Sequence, residues 1–448
     1  MKVPQSPPSH HDLFKAEDRD GLTAAITDSS PVDHKKRYLH WDEMRRRTPP
    51  NGLTLNQWWL GTTIARQATR KVLPIRDASG SAFHYSNVDR IQELLHQIDR
   101  QASGQLLADD VVTNLQSSDR YLVSSLVEEA ISSSQLEGAS TTRRVAKQLL
   151  MTGREPRDRS ERMIVNNYRA MLLAETLGLG EDLEIDDICT LHSTVTDGTL
   201  DDPNDAGRIQ TADEERIAVH WTDDTLLHKP PPAEMLDSRL KALCAFASEE
   251  RDGEQFIHPV IRSIAIHFWL AYDHPFVDGN GRTSRALFYW SMLRSGYWLT
   301  QYISISSILK KAPAKYARSY LYVETDSNDM TYFIIYQLEV IAKAIDNLRS
   351  YLKRKIAETR EIESLVRNSS ALNHRQLAVV SSALRDLNEE FTFRSHERQH
   401  RVTYQSARTD LLGLESLGLL NRVSRGRQFT FRPVEDLSDR LRVIGKDT

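Results

Sequence analysis

The residues best suited to chemistry lie in one stretch, His274-Pro275-Phe276-Val277-Asp278-Gly279-Asn280-Gly281-Arg282-Thr283-Ser284-Arg285. It combines a titratable base, a carboxylate, a glycine-containing turn and two arginines. His274, with an ordinary pKa of about 6.5, can take a proton from an attacking hydroxyl near neutral pH. Asp278 offers the hard oxygen that a phosphate-bound Mg²⁺ prefers. These residue types suit phosphoryl or nucleotidyl transfer.

The turn Gly279-Asn280-Gly281 is suited to holding an anion. Its glycines let backbone N–H groups point to one position beside a helix N-terminus, where the helix dipole favours negative charge. Arg282 and Arg285 are three residues apart, so both can reach phosphates on one face of the following helix. The pattern predicts helices over residues 259–273 and 283–294, so the motif is a loop between two core helices.

Together these residues resemble the signature of the Fic family, His-x-Phe-x-Asp/Glu-Gly-Asn-Gly-Arg-x-x-Arg, and every fixed position is filled. The resemblance implies AMP transfer from ATP to a hydroxyl of a protein, with His274 as the base and Asp278 as the Mg²⁺ ligand. It implies that the α- and β-phosphates are held by Gly279, Asn280 and Gly281. The β- and γ-phosphates would be engaged by Arg282 and Arg285. Donors other than ATP stay open, since relatives with altered motifs transfer other groups.

A second motif precedes this stretch. Residues 121–136 predict an amphipathic helix that ends in Ser133-Ser134-Gln135-Leu136-Glu137-Gly138. Ser133 and Glu137 share a face, and Gly138 is a natural helix stop, which alone indicates an ordinary capped helix. Beside the larger motif, the segment resembles the family's inhibitory motif, Ser/Thr-x-x-x-Glu-Gly/Asn. That resemblance implies that Glu137 pairs with Arg285 where the γ-phosphate would lie and repels the triphosphate.

Residues 209–221 alternate with a strand-like period and predict a hairpin whose turn lies near residues 212–215. The family resemblance implies that this hairpin is a flap, which holds an extended target segment by strand addition. Ile209, Ile217 and Val219 are then the target-binding candidates. The alternative is a connecting hairpin with no role in substrate binding.

The C-terminal part differs in charge. Residues 372–433 hold ten arginines and no lysine against six acidic residues, a local charge of +4 in a chain of net charge −4. Predicted helices over 373–387 and 403–417 precede strands over 420–423 and 428–432, the layout of a winged helix-turn-helix. DNA is therefore a predicted partner of this domain, with dimerisation or protein docking as the alternative.

Length and composition limit the number of domains, the kinds of cysteine site and the expected compartment. A chain of 448 residues exceeds one ordinary core, so two or three domains are expected. Two cysteines, Cys189 and Cys244, are too few for a disulfide framework or a cysteine zinc site. The sequence contains neither a signal-peptide pattern nor an apolar run of about 18 residues, so a cytoplasmic protein with no membrane partner is expected.

The predicted fold is mainly α, with a Fic-type helical core, a small β-hairpin flap and a C-terminal winged helix-turn-helix domain. The predicted boundaries are a mobile tail (1–34), an N-terminal helical region (35–118), a core (119–360) with inhibitory helix (121–137), flap (209–221) and long helix, and a winged-helix domain (365–435). The predicted function is autoinhibited transfer of AMP from ATP to a Ser, Thr or Tyr of a protein, which includes the chain itself. Two alternatives stay open: a nucleotide-sensing DNA-binding regulator, and removal of AMP from a modified protein. A homodimer is expected from the resemblance alone.

Overall fold

A computed structural model describes residues 1–27, 29–102, 115–177, 182–221, 223–248, 256–368, 372–385, 387, 389–425 and 428–444. The chain divides into two compact units, residues 1–106 with 121–346 and residues 107–120 with 347–448. Most of the predicted tail, N-terminal region and core therefore falls within the first unit. Across the described ranges, no helix is long and apolar enough to span a membrane.

The chain is mainly helical, as predicted. In chain order the α-helices are α1 (His10–Ala16), α2 (Arg19–Thr27), α3 (Trp41–Met44), α4 (Leu55–Gln67), α5 (Asp89–Ala102), α6 (Leu115–Leu136), α7 (Arg143–Thr152), α8 (Arg159–Thr176), α9 (Ile185–Thr196), α10 (Leu236–Ser248), α11 (Pro259–Asp273), α12 (Asn280–Arg294), α13 (Ser306–Leu309), α14 (Pro313–Thr325), α15 (Thr331–Asn368), α16 (His374–Arg385), α17 (Phe393–His400), α18 (Tyr404–Ser416) and α19 (Leu437–Ile444). The strands form antiparallel pairs: β1 (Arg70–Arg76) with β2 (Ala82–Ser86), β3 (Val219–His220) with β4 (Leu226–His228), and β5 (Leu420–Arg425) with β6 (Gln428–Pro433).

Helices α11 and α12 pack together in the interior of the first unit. Pro259 at the first position of α11 and His258 as its N-cap favour the start of that helix. Phe268 and Trp269 of α11 are buried, as are most apolar side chains of α12. Because two buried helices flank residues 274–279, this loop is fixed at both of its ends.

The predicted mobile tail over residues 1–34 is wrong, because this segment carries α1 and α2. Ser9 caps α1 by accepting a hydrogen bond from Asp12 N at 3.1 Å. Leu13 and Ala25 are buried, and a Cβ on Gly61 of α4 would lie only 1.9 Å from the Ala25 carbonyl. Glycine at that position therefore lets α2 lie against α4.

The second unit contains α16 and α18, close to the predicted helices over 373–387 and 403–417, followed by the β5–β6 hairpin, whereas α17 between the two helices was not predicted. Its apolar core includes Val380, Leu411 and Phe431. Arg401, at φ +52, makes the short turn between α17 and α18. The hairpin turn was predicted at residues 424–427; residues 424 and 425 belong to β5, and residues 426 and 427 lie outside the described residues. The identification of this unit as a DNA-binding module stays a prediction.

Candidate functional site

His274 follows the last residue of α11 in the left-handed region, with φ +47. Glycine usually holds this position after a helix, because residues with a Cβ are strained there. The Ala271 carbonyl lies 3.4 Å from Nδ1 of His274, and a carbonyl only accepts, so Nδ1 carries the proton. Burial lowers the pKa of His274 to about 4. The imidazole is neutral at pH 7, and the lone pair on Nε2 can act as a base.

Arg216 holds the backbone around His274, a role that the sequence did not reveal. Its Nη2 donates to the carbonyl of Asp273 at 2.5 Å and to that of His274 at 3.0 Å. Its Nη1 donates to the side chain of Gln210. The buried carboxylate of Asp273 accepts a further bond from Nε of Arg239 at 2.8 Å. Two arginines therefore fix the end of α11 and the orientation of the histidine that follows it.

The helix after the motif starts at Asn280, with Gly279 as its N-cap at φ +83, and not at Thr283 as predicted. Oδ1 of Asn280 accepts from Phe276 N at 3.0 Å, and its Nδ2 donates to Phe276 O at 2.7 Å. These bonds hold the loop against the first turn of α12 and account for the early start. The Asn280 side chain is thereby engaged, so Asn280 can bind an anion through its backbone N–H, beside that of Gly281.

His192 of α9, for which the sequence suggested no role, also holds the loop. Its ring stacks on Phe276, with centroids 3.7 Å apart. Nδ1 accepts from Gly207 N at 2.9 Å, so the proton lies on Nε2, which donates to the carbonyl of Asp278 at 2.8 Å. Burial lowers the pKa of His192 to about 4, which keeps this tautomer neutral. No spacing marks His192, because it lies 86 residues before Asp278.

Arg282 is 1% exposed, yet much of its guanidinium lacks a protein partner. Nη1 donates to Val195 O at 3.0 Å, whereas Nε and Nη2 have no acceptor within the described parts of the chain. The Asp278 carboxylate lies 3.8 Å from Nη2. Burial lowers the pKa of Arg282, as expected for a cation short of compensating charge. Such an arginine in the first turn of a helix is suited to a bound anion.

Arg285 and Glu137 form the ion pair that the resemblance implied. Nη2 of Arg285 lies 2.8 Å from Oε1 of Glu137. Ser133 adds two bonds, since its Oγ accepts from Arg285 Nε at 2.9 Å and its carbonyl accepts from Nη2 at 3.1 Å. A Cβ on Gly281 would lie 2.3 Å from Oε1 of Glu137. The Glu137 carboxylate thus lies against the N-terminal turn of α12, where a helix favours negative charge.

Asp278 is the predicted metal ligand. Its Oδ1 accepts from Gly279 N at 2.5 Å, and its Oδ2 lies 3.4 Å from Nη2 of Arg159. The described residues include no cluster of three or more His, Cys, Asp or Glu that could hold a metal. A single accessible carboxylate matches Mg²⁺ that is bound mainly through substrate phosphates. The residues present therefore fit a metal bound together with a nucleotide.

The predicted hairpin over residues 209–221 is wrong in position. Residues 209–218 contain no strand, and the pairing that forms joins Val219 to His228. Residues 209–218 are held by side-chain contacts in place of backbone strand pairing. Arg208, for example, forms an ion pair with Glu214 at 2.7 Å. Gln210 N donates to the carbonyl of Pro275 at 2.9 Å, which ties this segment to the motif loop.

The predicted target-binding residues separate in the structure. Val219 borders the cavity beside His274. Ile217 is 43% exposed and Ile209 is partly buried, and neither lines that cavity. The three side chains therefore do not form one surface in this conformation.

A cavity of about 200 Å³ lies beside His274 and Arg285. Its wall includes Glu137, Gly281 and the tyrosines Tyr272, Tyr316 and Tyr320. His228 on β4 also borders it, with Nδ1 2.9 Å from Oε2 of Glu324, and the sequence did not single out either residue. The cavity is smaller than the roughly 300–1,000 Å³ of small-molecule sites.

Residues 182–292 match the Fic/DOC family. Protein adenylyltransferase fic-1 of Caenorhabditis elegans is 33% identical over 117 residues, which are 26% of this chain and 20% of that protein. Protein adenylyltransferase Fic of Nematostella vectensis is 32% identical over 117 residues, 26% of this chain and 24% of that protein. The similarity thus spans about a fifth to a quarter of these curated relatives.

The fold also resembles a solved structure. The crystal structure of a Fic family protein from Desulfovibrio desulfuricans G20 aligns with a TM-score of 0.53 and 16% identity. The alignment covers 78% of this chain and 98% of that one. At this identity the likeness establishes the fold alone.

Proposed function

We propose that the chain is a Mg²⁺-dependent protein adenylyltransferase that is held inactive by its own Glu137. The match of residues 182–292 to the Fic/DOC family supports the reaction class. The reaction moves AMP from ATP to the hydroxyl of a Ser, Thr or Tyr. A bond forms between the hydroxyl oxygen and the α-phosphorus. The bond between the α-phosphorus and the oxygen that bridges it to the β-phosphate breaks. The hydroxyl proton goes to His274, and pyrophosphate leaves.

The buried and incompletely paired guanidinium of Arg282 is the observation that carries this proposal. A cation in that position is stabilised by an anion, and the first turn of α12 presents the backbone N–H groups of Asn280 and Gly281 beside it. The neutral imidazole of His274 lies in the same loop, fixed by Arg216. A base and an anion site in one rigid loop suit attack on a phosphate.

Asp278 would hold Mg²⁺ together with the nucleotide phosphates. Its carboxylate is accessible, and its backbone is fixed by His192. When bound, the metal would neutralise charge on the phosphates. Arg282 and Arg285 would contribute positive charge to the same end of the nucleotide once Arg285 is released from Glu137.

Glu137 supports the inhibitory part of the proposal. Its carboxylate pairs with Arg285 and lies against Gly281, so it occupies both partners that a terminal phosphate would use. A triphosphate at this position would meet a like charge and lose the arginine. The β3–β4 hairpin, through Val219 at the cavity edge, would support the target segment by strand addition.

The choice of labelled phosphate tests the reaction. Incubation of the Glu137→Gly chain with ATP and Mg²⁺ should attach label to protein when the α-phosphate is radioactive and leave the protein unlabelled when the γ-phosphate is. Label from the γ-phosphate would instead establish phosphorylation. No label from either position, in a Glu137→Gly chain that binds ATP, would contradict group transfer and favour a nucleotide-sensing role.

A second candidate function is duplex DNA binding by residues 365–435, which the arrangement of arginines favours. Arg394 and Arg398 lie one turn apart on one face of α17, and Arg401 follows the last residue of that helix. These three side chains and Arg408 are exposed, and no carboxylate in the described part of the unit pairs with them. Other arginines of the unit form ion pairs, namely Arg375 with Asp410, Arg422 with Glu415 and Arg432 with Glu390. The unpaired set is free to neutralise phosphates.

Retention of the full chain on duplex DNA tests this candidate. Retention should be strong at about 50 mM salt and weak at about 200 mM. Changing both Arg394 and Arg398 to alanine should make retention on DNA less dependent on salt, by the amount expected for the loss of about two phosphate contacts. Arg440→Ala is the matched control, because that arginine pairs with Asp436 outside this face. No retention at low salt would remove DNA from the candidate partners.

A further inference from the structure

Helix α6 carries a polar stripe that extends beyond the Glu137 motif. Ser125, Glu129, Ser133 and Glu137 recur every four residues, so they follow one face. All four bond to the core of the same unit: Ser125 Oγ donates to the carbonyl of Tyr302 at 2.8 Å, and Ser133 and Glu137 bond to Arg285. Glu129 lies in the middle of this stripe, and no role has been assigned to it.

The carboxylate of Glu129 is buried, with 1% exposed, and it is held by donors of Ser304 and of Ser306, the first residue of α13. Oε2 accepts from Ser304 Oγ at 2.8 Å and from Ser306 N at 3.0 Å. Oε1 accepts from Ser306 Oγ. No lysine or arginine among the described residues forms an ion pair with it. Its position is therefore set by directed hydrogen bonds, which tolerate little displacement.

Helix α12 contacts this stripe directly at Arg285 and is linked to it a second time through residues 303–306. Arg285 and Tyr289 lie one turn apart on α12. Arg285 pairs with Glu137, and Tyr289 bonds to residues 303 and 305, which adjoin the serines that hold Glu129. Tyr289 is itself fixed, since its hydroxyl accepts from Ile305 N at 3.0 Å and donates to the carbonyl of Ile303 at 3.2 Å. The direct contact of Glu137 with α12 and the contact of Glu129 through residues 303–306 together restrict the rotation and the axial position of α6.

We propose that Glu129 is the positioning residue that sets the register of α6 and so brings Glu137 to Arg285. A shift of α6 along its axis, or a rotation about it, would leave a buried carboxylate without its donors, which is strongly unfavourable. This penalty restricts α6 to the one position in which Glu137 reaches the first turn of α12. The inference rests on the proposed inhibition by Glu137 and extends it to a second residue.

Glu129→Gln tests the proposal, because glutamine keeps the shape but places an NH₂ among donors. AMP transfer should rise by about tenfold. The loss of one charge-assisted hydrogen bond changes the equilibrium between the observed and displaced positions of α6 by about that factor. In a chain that already carries Glu137→Gly, the same change should add nothing, because the register no longer matters. Glu128→Gln is the matched control, since Glu128 pairs with exposed Arg143 at 2.7 Å and should leave transfer unchanged.

Amide hydrogen exchange of residues 125–137 supplies a readout independent of activity. Exchange there should be faster in the Glu129→Gln chain than in the Glu128→Gln chain. Wild-type transfer and wild-type exchange in the Glu129 variant would overturn the proposal, as would additivity with Glu137→Gly. Should Glu129→Gln fail to fold, Ser306→Ala removes one donor and should give a smaller change in the same direction, and no change would again overturn it. If Glu137→Gly alone fails to activate, the proposed inhibition is wrong, while the exchange result still decides whether Glu129 positions α6.

Discussion

Replacing Glu137 with glycine is expected to raise AMP transfer by about a hundredfold. The change frees Arg285 and removes a carboxylate from the first turn of α12, and each charge-assisted contact is worth about a factor of ten. Glu137 follows the last residue of α6, and Gly138 comes next at φ +92, so a second glycine there interrupts no helix. Incorporation of label from α-labelled ATP into protein measures the effect.

Glu137→Gln separates charge from volume. Glutamine keeps the length of the side chain and can still accept a hydrogen bond from Arg285, but it carries no negative charge. If repulsion of the triphosphate dominates, transfer by this variant should approach that of the glycine variant. If the side chain blocks the cavity by its volume, the glutamine variant should stay as slow as the wild type. Wild-type activity in both variants, with unchanged melting temperatures, would contradict inhibition by Glu137.

The sequence around residues 274–285 predicted both helices that flank the motif loop. The apolar run over residues 259–273 predicted α11 with its observed bounds, because a buried helix needs apolar side chains on most faces. The start of α12 was predicted three residues too late, at Thr283. The Asn280 side chain binds both polar groups of Phe276, and such a local bond is invisible in a hydrophobic pattern.

Segments without an extended repeat of apolar residues were predicted poorly. Helix α1 has seven residues and one buried side chain, Leu13, so its sequence lacks the repeat from which a helix is predicted. The alternation over residues 209–218 suggested strands, yet Arg208, Glu214 and Arg216 engage other groups through their side chains. A short alternating segment is stable as a strand only when a partner pairs with it, and the sequence alone does not supply that partner.

The residues that position the site could not be found from spacing. Arg216 reaches the carbonyl of His274 across 58 residues, and His192 reaches that of Asp278 across 86. Each donates to a backbone carbonyl. Because every residue has a backbone carbonyl, the type of the accepting residue does not reveal the contact. The residues that would touch the nucleotide carry distinctive chemistry and adjoin in the chain, whereas their supports become visible once the helices have packed.

His274→Ala is expected to lower AMP transfer by at least about a hundredfold, the usual contribution of a general base. ATP binding should be largely retained, because the imidazole acts on the hydroxyl and not on the phosphates. His274→Gly gives the matched comparison. Both variants lack the base, but glycine adopts φ +47 without strain, so the glycine variant should be the more stable of the two by about 1 kcal/mol. Substantial transfer by either variant would place the base elsewhere.

The pH dependence of transfer gives an independent check on His274. Burial lowers its pKa to about 4, so the imidazole should already be neutral at pH 6, and transfer should change little from there to pH 8 on its account. An unperturbed histidine would instead lose activity below about pH 6.5. The folded state binds the proton less readily than the unfolded state, so this residue should make the protein less stable as the pH falls from about 6.5 to about 4. That acid-induced loss should be smaller in the His274→Ala chain, and an identical loss in both chains would contradict the lowered pKa.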